Sequence, residues 1–395
     1  MENMSNQETS SKQVLESTSA NLVLEYPTGY GKTRIALLKA AQWYTKECKI
    51  LIVLPTTALY NNWKEEIHKW KCDYMLPNIK MICYYSLPSY AGEYDIVIFD
   101  EGHHLSERCQ KAYLEDFKVN HFILLSATLQ YSINKFLKDN YPEAEHFVIG
   151  IDEAISSNVL PNPKVVLLPL TLDNKIASHK IFVNAKPKNK IKGIANVPYK
   201  DKWGYKKNYS GAYNLMCTQY QYFLEQEGLT MWHKSKGHHN AYVRRCGQRL
   251  DWLASQKTFL INKILQKLQM QRMIVFTSNT EEAKKLSCKS INSKVGTEDL
   301  AKFNADKIKH ISSVKMLDEG FNPHDCKIGL FQKINSSTRI EVQRIGRILR
   351  HNEPILIFPY YIGTREEEIV NDLLTVYKDV VKLNPDHLDF SVLGL

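Results

Sequence analysis

Four apolar, β-favouring residues, Ile96-Val97-Ile98-Phe99, run directly into two adjacent carboxylates, Asp100 and Glu101. A run this apolar, with no polar alternation, reads as a strand buried on both faces, the habit of parallel sheets covered by helices. In open sheets of that kind ligands bind outside the carboxyl ends of the strands. Two acids at that end point to chemistry: one can hold Mg²⁺ through water and the next can orient an attacking water. The arrangement recurs along the chain. Leu22-Val23-Leu24-Glu25 ends in a glycine loop, Ile50 to Leu54 in Pro55-Thr56-Thr57, Met81 to Tyr84 in Ser86, and Phe122 to Leu125 in Ser126-Ala127-Thr128. Packing alone would scatter such polar groups over both ends of a sheet. The pattern predicts an α/β chain with a mostly parallel sheet and one functional edge.

The glycine loop is Tyr26-Pro27-Thr28-Gly29-Tyr30-Gly31-Lys32-Thr33, followed by a helical stretch through Ile35, Ala36, Leu38 and Trp43. Strand, glycine loop and helix in that order make a phosphate cradle. Gly29 and Gly31 let backbone amides approach phosphates, Lys32 reaches the β- and γ-phosphates, and Thr33 can ligate Mg²⁺. The strict G-x-x-x-x-G-K-T pattern fails at its first position, where Tyr26 stands.

A second α/β unit begins near Arg272. Strands are expected at Met273 to Phe276, Ile308 to Val314, Ile328 to Phe331 and Ile355 to Phe358. Between the last two lies Glu341-Val342-Gln343-Arg344-Ile345-Gly346-Arg347-Ile348-Leu349-Arg350. On a helix its arginines fall at i, i+3 and i+6 and share roughly one face. No acid occurs between Glu341 and Glu353 to offset them, so an anion is expected opposite.

Composition fits two or three globular domains: 395 residues, 44% of them apolar. No apolar run approaches the roughly 18 residues that span a bilayer, and the first twenty residues lack a signal-peptide core. No membrane association is expected. Eight scattered cysteines without a C-x-x-C pair suggest free thiols in a reducing cytoplasm. The net charge of +10 sits in the middle: between Lys164 and Leu250 there are sixteen Lys plus Arg against four acids. A polyanion, most simply nucleic acid, is the expected partner. There Lys200, Lys202, Lys206 and Lys207 interleave with Tyr199, Trp203, Tyr205 and Tyr209, a mixture suited to phosphate contact and base stacking. Tyr213, Met216, Cys217, Tyr220, Phe223 and Leu224 recur at helical spacing and read as core.

The ordered set resembles a superfamily 2 DExH-type helicase, with the likeness covering roughly residues 21–170 and 250–370. Pro27 to Thr33 looks like that family's motif I, Pro55-Thr56-Thr57 like motif Ia and Asp100 to His103 like motif II. Ser126-Ala127-Thr128 looks like motif III, Met316 to Phe321 like motif V and Gln343 to Arg350 like motif VI. The resemblance implies two RecA-like parallel-sheet domains in tandem with a basic, aromatic-rich insertion between them. The expected boundaries are a flexible 1–20, an ATP-binding 21–170, the insertion 171–249 and a second domain 250–395.

It also implies roles, with ATP and Mg²⁺ as cofactors. Thr28, Gly29, Gly31, Lys32, Thr33 and Gly320 would line the nucleotide, with Thr33 and Asp100 holding Mg²⁺. Glu101 would position the hydrolytic water, and Arg347 and Arg350 would enter from the second domain. Gln343 and His103 would couple the domains. Thr56, Thr57, Ser86, Ser126 and Thr128 would follow the nucleic-acid backbone, joined by Lys202, Trp203, Lys206 and Lys207 from the insertion. Gln7 stands about where the family often has an adenine-recognising Gln. The doubled histidine, His103-His104, resembles DNA-directed and restriction-type members more than RNA helicases. The expectation is a monomeric, ATP-dependent DNA helicase or translocase, cytoplasmic, and from compactness and Lys/Asn/Tyr richness phage- or virus-encoded. An RNA-directed DExH helicase and a non-hydrolysing nucleic-acid clamp are the alternatives.

Overall fold

The apolar runs become parallel strands. The computed structural model describes residues 5–173, 177–180, 199–200, 206–207, 214–217, 219–291, 297–314, 323, 325–335 and 338–395. The first unit runs α1 (Ser5–Glu16), β1 (Asn21–Glu25), α2 (Lys32–Trp43), β2 (Ile50–Leu54), α3 (Leu59–Lys69), β3 (Ile79–Cys83), β4 (Gly92–Phe99), α4 (Glu107–Asp116), β5 (Phe117–Ser126), α5 (Tyr131–Asn140), β6 (Glu145–Val148) and α6 (Ile151–Ser156). Its six strands are ordered β3-β2-β4-β5-β1-β6, and every pair is parallel. β2 shows why the sheet is layered. All five of its residues are buried: Ile50, Ile52 and Leu54 pack with α2 and α3, while Leu51 and Val53 face α4 and α5. Each such side chain stabilises the fold by roughly 1.5–3 kcal/mol.

Residues 1–20 are not a flexible end throughout, because α1 is docked. Its Val14 is buried, Lys39 Nζ on α2 donates to Leu15 O and Ser17 O, and Ser10 and Gln7 reach the glycine loop.

The second unit corrects the expected boundary at 170. β7 (Lys164–Leu170) pairs with strands of the second sheet, not the first. The insertion follows, with β8 (Ala177–Lys180) paired to β11 (Asn214–Cys217) and β9 (Tyr199–Lys200) paired to β10 (Lys206–Lys207). A helical hairpin, α7 (Gln219–Ser235) and α8 (His239–Gln256), completes it. The apolar stripe expected from Tyr213 to Leu224 is split: Met216 and Cys217 lie in β11, Phe223 is buried, and Tyr220 and Leu224 are exposed.

The chain then forms α9 (Thr258–Lys267), β12 (Met273–Phe276), α10 (Thr280–Lys284), β13 (Lys289–Ile291), α11 (Thr297–Asn304), β14 (His310–Ser313), β15 (Ile328–Phe331), α12 (Thr338–Ile348), β16 (Ile355–Tyr361), α13 (Arg365–Leu373) and β17 (Val380–Lys382). The seven-stranded order is β13-β14-β12-β15-β16-β7-β17, again all parallel. The apolar stripe Leu253, Leu260, Ile261, Ile264, Leu265 and Leu268 predicts one helix over about 250–268, but the structure breaks it at Lys257. Its ammonium is wholly buried, 2.6 Å from Glu366 Oε1 and 3.0 Å from Pro359 O. The acidic start after Thr364 predicts a helix to about Leu383; it is shorter, ending at Leu373 before β17.

One continuous buried cluster joins the units. It runs from Leu24 and Ile52 through Tyr30 and Leu160 to Phe331, Ile345 and Phe358. Among the described residues, no helix is long and apolar enough to cross a membrane.

A candidate nucleotide site between two domains

The glycine loop leaves the carboxyl end of β1 and turns into α2. Gly29 and Gly31 have φ of 92° and 100°, a left-handed backbone that side chains other than glycine adopt only with strain. Tyr26 needs no such freedom. It is buried at the loop's base, edge-on to Tyr30 with 5.0 Å between ring centres. Lys32 is buried, and its Nζ donates to Tyr26 O at 2.7 Å. Gln7 Nε2 donates to Tyr30 O at 2.6 Å, and the Tyr30 hydroxyl donates to Ser10 Oγ at 3.0 Å. Thus α1 rests on the loop, and Gln7 lies beside it.

Asp100 and Glu101 emerge from β4 beside this loop. The Asp100 carboxylate accepts the Trp63 indole N–H at 2.9 Å, and Tyr84 Oη donates to Asp100 O at 2.8 Å. Glu101 holds φ of 50°, a conformation costly for a non-glycine residue and typical of functional sites. Gly102 can be nothing larger, since a Cβ would come within 2.4 Å of Leu124 Cδ2. The turn brings His103 Nδ1 to 3.5 Å from Glu101 Oε2 and 3.4 Å from Ser126 Oγ.

Charge at this edge is crowded. Burial lowers Lys32 first; the Glu101 and Asp100 carboxylates oppose that, and the Arg347 and Arg350 guanidiniums reinforce it. Burial, then the Glu101 charge, raises Asp100 to about 6, while the Trp63 N–H and Lys32 pull it back. Arg350, partly open to solvent, is lowered to about 9 by burial and by Arg347, against the pull of Glu66. A guanidinium stays charged at neutral pH on either count.

The second domain therefore faces the loop across a closed cleft. A Cβ on Gly346 would lie 2.7 Å from Thr28 Cβ, and Arg347 and Gln343 on the same helix are buried. The arginines do not act as one face. Arg344 turns inward to Val314 O at 3.1 Å and over the Phe276 ring, and Arg350 lies in the turn beyond α12.

Several buried polar atoms here have no hydrogen-bond partner in the protein: Thr28 Oγ1, Thr56 Oγ1, Thr128 Oγ1, Gln343 Nε2 and Glu101 Oε2. Buried groups of this kind call for a partner, and these are all motif residues. Thr33 and Asp100 supply hard oxygens at the loop. Among the described residues no cluster of three or more acids, histidines or cysteines could cage a metal. That donor set fits Mg²⁺, which keeps waters and binds through one or two protein oxygens plus phosphates.

On the expected nucleic-acid track, Thr56 and Ser86 are half-buried and Thr57 is exposed. Ser126 is a correction. It is wholly buried, its hydroxyl donating to Thr128 O at 2.8 Å and lying 3.4 Å from His103 Nδ1, so it links motifs II and III and presents no surface to a strand here. Gly320, Lys202 and Trp203 lie outside the described residues, as does the segment Met316 to Phe321. Of Lys206 and Lys207 only the backbone pairing is described. Trp63 and Tyr84, which hold Asp100, carried no signal beyond apolar spacing.

These features define a class: an ATPase whose site is completed across two RecA-like domains. Comparison with known proteins agrees. The DEAD/DEAH box helicase family matches residues 4–90. The DNA 3'-5' translocase XPB2 of Sulfurisphaera tokodaii is 25% identical over 358 residues, covering 84% of this chain and 75% of that protein. Among solved structures, Saccharomyces cerevisiae Dbp5 bound to RNA and ADP BeF3 superposes with a TM-score of 0.59 at 11% identity, over 98% of this chain and 91% of that one. The ATP-dependent Type ISP restriction-modification enzyme LlaBIII bound to DNA gives 0.55 at 13%, over all of this chain and 32% of that one. The chain thus resembles superfamily 2 helicases, in its first quarter by the family model and along most of its length by the translocase relative.

Proposed function

We propose that this chain is a DNA-directed motor, in which ATP closes the two domains on a strand and hydrolysis releases them. One observation carries the reading: the helix bearing Arg347 packs on the glycine loop so closely that a Cβ on Gly346 would lie 2.7 Å from Thr28 Cβ, with Lys32 and Arg347 both buried. Lys32 would bind the β- and γ-phosphates, Glu101 would orient water, and Arg347 and Arg350 would offset charge developing on the γ-phosphoryl. His103, between Glu101 and Ser126, would relay closure to motif III. Mg²⁺, held by Thr33 and Asp100, would supply charge neutralisation at the phosphates.

Support for DNA over RNA comes from the relative named as a DNA translocase and from the doubled histidine. The basic insertion adds a polyanion-binding surface: Arg244, Arg245, Lys234 and Lys236 lie near the tip of the α7–α8 hairpin beside exposed Trp232. A monomer suffices, since both halves of the site belong to one chain. The test is ATP turnover with single-stranded DNA, duplex DNA and RNA of matched length. DNA should stimulate most, and Lys32→Ala should abolish turnover with all three. Stronger stimulation by RNA would select the RNA-directed alternative, and no turnover at all would select the clamp.

A further inference from the structure

The hydrogen bond from Trp63 to Asp100 joins two parts of the machine. Trp63 sits one turn into α3, buried at 2% exposure, and its Nε1 lies 2.9 Å from Asp100 Oδ2. An indole N–H donates only. It can hold a carboxylate in one rotamer while leaving it anionic, where a lysine would neutralise it and compete with a cation. Asp100 is also fixed through its backbone, by Val53 O on its N–H and by the Tyr84 hydroxyl on its carbonyl, and the Glu101 N–H reaches its carboxylate from the main chain. Trp63 is the side chain that sets the direction of the carboxylate itself.

One turn before Trp63, the amino end of α3 joins the Pro55-Thr56-Thr57 turn. Leu59 N donates to Thr56 O and Tyr60 N to Thr57 O, so the turn and the helix form one rigid piece. Thr57 is exposed, and the buried Thr56 hydroxyl has no protein partner. Further along, Glu66 accepts the Trp70 indole N–H at 2.7 Å. One helix therefore joins the expected strand track to the metal carboxylate.

We propose that Trp63 is a positioning residue that orients Asp100 for Mg²⁺ and ties that orientation to the strand-facing end of α3. The coupling half rests on the nucleic-acid-dependent reading above; the orienting half does not.

The experiment measures ADP binding to the full chain by calorimetry across a Mg²⁺ titration, with and without single-stranded DNA. Trp63→Phe keeps the ring packing and removes the N–H. It should raise the Mg²⁺ needed for half-maximal tightening about tenfold, the loss of one hydrogen bond to a charged group. ADP affinity in EDTA should be unchanged. Trp43→Phe, at a ring stacked on His121 at 4.3 Å, should behave as wild type. DNA should lower the Mg²⁺ requirement of wild type and leave that of Trp63→Phe where it was. Without any variant at 63, one indole N–H resonance should shift on adding Mg²⁺ and ADP, and also in Asp100→Asn. Superimposable Mg²⁺ curves for wild type and Trp63→Phe, or no such resonance, overturn the orienting role. An equal DNA effect in both proteins overturns the coupling. A wild type that no nucleic acid stimulates sinks the functional reading and the coupling together, while the Mg²⁺ curve still decides the orienting role.

Discussion

Gly346 lies flat against Thr28, so close that a Cβ on the glycine would come 2.7 Å from the threonine Cβ. One residue is on the arginine-bearing helix and the other is in the phosphate loop, so the approach of the two domains is limited by a missing methyl group. Gly346→Ala should hold the cleft ajar. Overpacking of this kind costs roughly 1–3 kcal/mol, on the order of a tenfold to hundredfold loss in the closed population. Steady-state kcat should fall by that factor while the melting temperature stays within a few degrees of wild type.

On the proposed mechanism Arg347, buried beside the glycine loop, offsets charge on the γ-phosphoryl. Arg347→Ala should keep ATP affinity within a few fold and lose turnover by roughly a thousandfold, the scale of a removed arginine finger. Nucleotide titration beside single-turnover hydrolysis separates the two effects. Equal turnover in the variant would remove the two-domain mechanism.

Glu25 closes β1 and holds the motif III loop, its Oε1 accepting Leu129 N at 3.0 Å and its Oε2 lying 3.1 Å from His146 Nε2. The hydrogen bond with His146 lowers its carboxyl; burial opposes this, and the Leu129 N–H and the His146 charge add to it. A lowered folded-state pKa gives stability that is complete above the ordinary value of about 4.3 and is lost as pH falls through the depressed one. The melting temperature of Glu25→Gln should therefore fall below that of wild type at pH 7, and the gap should close below about pH 4.

Lys257 and Glu366 are both fully buried. Burial lowers the lysine and raises the glutamate, each opposed by its partner. Removing one partner strands a charge, so Lys257→Met should cost roughly 3–5 kcal/mol. Lys257→Met with Glu366→Leu should recover most of that in denaturant titrations.

The tandem parallel-sheet fold was legible in the sequence, and so was the edge where the structure gathers the polar groups. Asp100, Lys32 and Thr33 were legible because their signals are local: an apolar run, a break, and a polar group at the strand's end. Arg347 was legible through spacing on one helix, yet the same spacing misjudged Arg344, since periodicity does not say whether a guanidinium finds a carbonyl and a ring inside. Ser126 came to the strand track through the family resemblance, which does not say which hydroxyl of motif III is buried; its burial goes with its bond to Thr128 O. Trp63 falls on the apolar stripe of α3 and is buried, and such a stripe hides where an indole N–H points. The expected boundary at 170 failed because β7 finds both neighbours far along the chain.

That last feature bears on how the protein is made. β7 is an apolar strand whose partners begin only at Ile355 and Val380, so on a ribosome both its hydrogen-bonding edges wait bare while the insertion emerges. Pairing that distant is slow, and a naked edge invites the wrong neighbour. A fragment starting at residue 250 would lack the strand that sits between β16 and β17 and should aggregate, whereas one starting before Lys164 should stay in solution.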